Sequence, residues 1–138
     1  MIERLSQEGR QCLSVSSAGI FANTGNPPEP FAVQVAREAG VDISGHRARV
    51  VNSESLSWAD IVLVMESAQR EFVSMVFPTQ SAKVTLLGDF NRSRGGGGEI
   101  EDPYGSSIEV YRTCFGEIEE AIDGLIQFFA SCSAPKDH

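Results

Sequence analysis

The clearest pattern along the chain is one long apolar stripe near its C-terminal end. Ile108, Tyr111, Phe115, Ile118, Ile122, Leu125 and Phe129 recur at steps of three and four. That spacing predicts a helix with one face against a sheet. Ser106 and Glu109 fit a capping box at its start. A second helix is expected over residues 30–39, where Ala32, Val35, Ala36 and Ala39 share a face and Gly40 stops it. A third follows Ser67 as cap, carries Phe72, Val73, Val76 and Phe77, and ends at Pro78. Residues 2–9 read as a short helix stopped by Gly9, and 53–58 as one helical turn.

Between these lie short apolar runs of another kind. "IVLVM" (61–65) is continuous, as a parallel strand buried on both faces requires. "KVTLL" (83–87) reads as a second strand, and "CLSVS" (12–16) alternates as a third. "SAGIFANTGNPPEP" (17–30) is loop, punctuated by Gly and Pro. Helices alternating with short strands predict an α/β fold with parallel strands. Residues 1–130 are read as a single domain and 131–138 as a frayed tail.

Composition narrows the function classes. The 138 residues are 41% hydrophobic and 22% charged, ordinary for a globular chain with one core. The net charge of -8 argues against nucleic acid or an anionic membrane as partner, since their phosphates repel it. No apolar run approaches a membrane span, and Glu3 and Arg4 beside Met1 do not suit a signal peptide. Cys12, Cys114 and Cys132 have no metal-ligand spacing and cannot all pair within one chain; they read as reduced thiols in the cytoplasm. The "RGGGGE" stretch (94–99) lacks the lysine and the strand-to-helix context of a phosphate loop, and reads as a connection.

Six stretches occur in one order: "SSAGI" (16–20), "GNPPEP" (25–30), "REAGVDISGHRAR" (37–49), "ADIVLVME" (59–66), "KVTLLGDF" (83–90) and "EDPYG" (101–105). Together they resemble the low-molecular-weight protein-tyrosine-phosphatase family, from near Met1 to about Phe129. The resemblance implies a three-layer α/β fold, a small parallel sheet flanked by helices, and a cytoplasmic location. It also implies a phosphorylated protein as partner and no metal or cofactor. The family's Cys-x5-Arg phosphate loop is not in this sequence: the sixth residue onward is Ala18 from Cys12, Glu120 from Cys114 and His138 from Cys132. "MIERLSQEG" resembles the helix that follows that loop. The expectation is therefore a chain lacking the family's first, central strand together with its nucleophile and arginine.

The implied chemistry has named parts. A cysteine thiolate attacks phosphorus, an arginine grips the phosphoryl oxygens, and an acid protonates the leaving phenolate. The resemblance makes Asp102 that acid, Tyr104 an aromatic wall for the substrate ring, and Ser17 and His46 braces for the phosphate loop. Phe21 falls in the segment that forms the family's pocket rim. Each residue also has a plainer reading: Asp102 as a turn residue before a helix, Tyr104 and Phe21 as packing or loop aromatics, and His46 as a loop histidine. Arg47 and Arg49 fit either an anion contact or a solvated loop pair. Three functions stay open: a tyrosine phosphatase inactive as this chain, a non-catalytic binding module of the same fold, and an arsenate reductase of the same fold. Phosphoarginine in place of phosphotyrosine is a further substrate option.

Overall fold

A computed structural model describes residues 14–21, 23–91 and 98–133, with side chains through residue 130. The helix expected over 2–9 and most of the "RGGGGE" stretch lie outside these residues. Two compact units emerge, one of the residues up to Asp60 with Pro103–Phe115, the other of Ile61–Asp102 with the chain from Gly116 onward.

In the first unit, helix α1 spans Pro30–Glu38. Proline at its first position has the right φ and lacks a donor that would go unpaired there. The end is a Schellman motif. The Gly40 N–H donates to the Arg37 carbonyl and the Val41 N–H to the Ala36 carbonyl, both at 2.9 Å. Val35 and Ala36 are buried, and Phe31 meets Tyr111 edge to face at 5.6 Å. Arg112 holds both oxygens of Glu38, at 3.1 and 2.9 Å. That fork lowers the Glu38 pKa and raises that of Arg112.

Helix α2, Ser53–Trp58, starts from a reciprocal cap. The Asn52 side chain accepts the Ser55 N–H at 2.8 Å, and the Asn52 N–H donates to the Ser55 hydroxyl at 3.3 Å. Asn52→Ala is expected to lower stability by about 0.5–2 kcal/mol, with Asn52→Asp retaining most of it, as read by urea unfolding.

In the second unit, β1 (Val62–Val64) pairs in parallel with β2 (Val84–Leu86), Val62 opposite Val84 and Val64 opposite Leu86. Helix α3, Ser67–Val76, follows β1 and packs on both strands. Short 3-10 segments, Pro78–Lys83 and Leu87–Phe90, lead into and out of β2. Helix α4, Ile108–Ser133, contributes to both units. Ala121, Ile122, Leu125 and Ile126 on it are buried in the second.

Gly124 of α4 has a specific job. A Cβ there would overlap the Phe90 carbonyl, so only glycine lets that backbone lie against the helix. Phe90 then meets Phe128 edge to face at 5.4 Å, and the buried Asn91 amide donates to Glu120 at 3.1 Å.

Four expectations need correction. Of the strand expected over 12–16, residues 12 and 13 lie outside the described residues and 14–16 form no strand; among the described residues nearby, Gly19 bridges in parallel with Val50. In its described part, Val15 is half-buried between exposed serines. β1 is half-buried rather than buried, because β2 is its one paired neighbour among the described residues. The cap position of α3 is Glu66, not Ser67; the Gln69 side-chain oxygen accepts the Met65 and Glu66 N–H groups. Finally, α4 begins one residue later than the Ser106–Glu109 box requires. The Ser106 N–H is engaged in a turn with the Pro103 carbonyl, and Glu109 pairs with Arg112 instead.

Candidate functional site

The segment carrying Asp102 is fastened twice just before it. The Ile100 N–H donates to the Met65 carbonyl at 2.9 Å, at the end of β1. Its side chain is 2% exposed. One residue earlier, the Glu99 carboxylate accepts the Ser67 N–H at 2.7 Å, at the first turn of α3. Asp102 itself is exposed, two residues beyond a buried anchor.

The Ser67 backbone N–H, then its hydroxyl, lower the Glu99 pKa, with burial opposing weakly. A folded-state pKa below the unfolded one stabilises the fold above the unfolded value and is lost as pH falls through the folded value. Glu99→Gln is therefore expected to lower the unfolding midpoint at pH 7. The gap between variant and parent closes below about pH 4, as thermal unfolding across pH would measure.

After Asp102 the chain turns. The Ser106 N–H donates to the Pro103 carbonyl at 2.9 Å, and Gly105 sits at φ +79. A turn with a left-handed third residue needs glycine there. Tyr104, at the second position, is thrust outward and is 71% exposed. The division between the units falls after Asp102. Tyr104, Ser17, Phe21 and His46 belong to the first unit and Asp102 to the second.

Ser17 and His46 lie on segments laid side by side. The Gly19 N–H donates to the Arg49 carbonyl at 2.8 Å and the Val51 N–H returns to Gly19 at 2.9 Å. Arg49 also donates to the Ser16 hydroxyl at 2.7 Å, beside Ser17. Arg47 donates to the Ser44 and His46 carbonyls at 3.0 and 2.7 Å, which shapes the loop holding His46. These two exposed arginines, read from sequence as an anion pair or a solvated pair, also donate to this chain's own oxygens. Ser17 and His46 are exposed, and Phe21 is 89% exposed. Cys114 is buried in α4. Among the described residues no cluster of three His, Cys, Asp or Glu could hold a metal, and no helix is long and apolar enough to cross a membrane.

Sequence reasoning passed over Ile100 and Glu99. The signal was small: a lone apolar residue between acids in "EIED" (99–102).

The family model described as low molecular weight phosphotyrosine protein phosphatase matches residues 1–134. The chain belongs to this family. Among its relatives, the protein-arginine-phosphatase of Geobacillus stearothermophilus is 36% identical over 115 residues, 83% of this chain and 76% of that one. The low molecular weight protein-tyrosine-phosphatase Wzb of Escherichia coli is 32% identical over 119 residues, 86% of this chain and 78% of that one. The structure of YwlE arginine phosphatase from G. stearothermophilus matches at a TM-score of 0.85 and 32% identity, covering 97% of this chain and 86% of that one. A low molecular weight protein tyrosine phosphatase from T. tengcongensis matches at 0.82 and 35%, covering 91% and 83%. The family fold is α/β, a small parallel sheet flanked by helices, as the chain was read to be.

Proposed function

We propose that this chain carries the acid and the substrate-ring portion of a phosphotyrosine phosphatase site. Asp102 is the general acid and base, Tyr104 the wall beside the substrate ring, and Phe21 part of the rim. Ser17 and His46 hydrogen-bond to the phosphate loop in a complete site. The reading is carried by "EDPYG" at 101–105, held by the Ile100 anchor and the Gly105 turn, within the family match.

The chemistry runs in two displacements. A thiolate attacks phosphorus, the P–O bond breaks, and the Asp102 carboxyl gives its proton to the departing phenolate oxygen. Asp102, now a carboxylate, takes a proton from water as that water attacks the phospho-cysteine and expels the thiolate. The 138 residues contain no Cys-x5-Arg, so the chain by itself is expected not to hydrolyse p-nitrophenyl phosphate. Joining a Cys-x5-Arg segment from a family member ahead of Met1 is the test. Turnover should appear in the joined protein; a folded joined protein without turnover overturns the reading.

A second reading, protein-arginine phosphatase, is favoured by the 36% identical relative and the likeness to YwlE. The leaving group is then a guanidinium nitrogen, which Asp102 could protonate equally. Tyr104 suits an aromatic ester better. Competing phosphotyrosine and phosphoarginine peptides in the joined protein separate the two.

A further inference from the structure

The geometry points to residues 26–30, "NPPEP", as a docking site for a partner with an SH3-type groove, one that reads polyproline II backbone. The covalent chemistry sets the conformation. Each proline fixes its own φ near −65°, and a residue before proline is pushed to extended ψ. Pro27 precedes Pro28 and Glu29 precedes Pro30. Glu29 stands at φ −59, ψ 142, within the polyproline II region.

Polyproline II has three residues per turn, so Pro27 and Pro30 share one edge. Both are exposed, whereas Pro28, off that edge, is half-buried. Two X-Pro pairs, Asn26–Pro27 and Glu29–Pro30, thus face outward at the spacing of a P-x-x-P ligand. Pro30 is explained by its place at the start of α1. Pro27 is not, since it neither begins an element nor fills the core.

The segment is also preorganised. At its entrance the Gly25 N–H donates to the Ala48 carbonyl, and the Ala48 N–H donates to the Asn26 carbonyl, each at 2.9 Å. At its exit the Glu29 carbonyl accepts the Val33 N–H of α1 at 3.0 Å. A ligand already fixed in its bound form loses little entropy on binding. Beside the prolines lies an open notch of about 520 Å³, to which Val33 and Arg37 of α1 also contribute. Arg37 is exposed, with Asp42 as its charged neighbour. Its guanidinium supplies the cation that SH3 grooves take in an acidic pocket beside their aromatic walls. The exposed cation beside the P-x-x-P edge is what favours an SH3 groove over a WW groove in this assignment.

The test uses this chain, immobilised, against a panel of purified SH3 and WW domains. Binding to at least one SH3 domain at a Kd below ~1 mM is expected. Pro27→Ala and Pro30→Ala should each weaken it about tenfold or more, and Arg37→Glu by a similar factor. Pro78→Ala, which removes a proline elsewhere, should leave it unchanged. A free P-x-x-P peptide should compete. Circular dichroism checks that each variant is folded, and Arg37→Glu keeps the test decisive if a proline variant is not. Binding to no SH3 domain, binding to WW domains alone, or affinity indifferent to Pro27 and Arg37 would each overturn the assignment.

Discussion

Asp102→Asn, in the protein joined to a Cys-x5-Arg segment, is expected to lose about 10²–10⁴ in kcat on phosphotyrosine, with KM little changed. The reason lies in the leaving group. A phenolate whose conjugate acid has a pKa of about 10 is a poor leaving group unless it is protonated as the P–O bond breaks. Asparagine fills the same space without a proton to give. The loss should shrink steadily as substrates with more acidic phenols are used, because they need less help. A constant loss across that series would mean that Asp102 only holds the loop in shape. The two roles proposed for the residue, acid in the first displacement and base in the second, predict one more signature. With the most acidic phenols the second step limits, and a residual defect persists.

The second large effect is on stability, at the point where α4 crosses Phe90. Leu125 is 1% exposed, and Leu125→Ala is expected to cost about 2–5 kcal/mol. Its neighbour poses a contest of sign. Gly124→Ala gains up to about 1 kcal/mol of helix propensity. It also drives a methyl group into the Phe90 carbonyl, a backbone atom that no rotamer change can move aside. Overpacking of this kind costs about 1–3 kcal/mol or more, so the variant should be less stable than the parent. Separating Phe90 from the helix also disturbs its ring contact with Phe128. Denaturant unfolding of both variants measures the two costs. A Gly124→Ala protein more stable than its parent would show that helix and loop can part there cheaply.

Much of this was written in the chain and some was not. The stripe from Ile108 to Phe129 announced α4 because burial of one face leaves a 3.6-residue period that loops do not imitate. Gly40 announced the end of α1 because the Schellman turn needs its conformation. The strand read over "CLSVS" is not formed across 14–16, where exposed serines flank Val15. Caps slipped by one residue at α3 and α4 because Ser67 and Ser106 compete with neighbours for the same backbone groups. At the candidate site, Asp102 and Tyr104 stood out through "EDPYG", a local motif. What fastens Asp102, Ile100 to Met65 and Glu99 to Ser67, joins residues more than 30 positions apart. No local window contains such pairs. Arg47 and Arg49 were ambiguous because a surface guanidinium looks the same in sequence whether it meets a ligand or its own loop.

If Asp102 is the acid, as proposed, Ile100 ties its aim to the interior of the protein. Under the proposed function, a side chain that touches no substrate anchors the chain two residues before the proton donor. Heating that loosened the packing around it would blur the donor's position before the molecule unfolds. In a complete enzyme, catalytic decline would then begin on the shoulder of the melting curve, ahead of its midpoint.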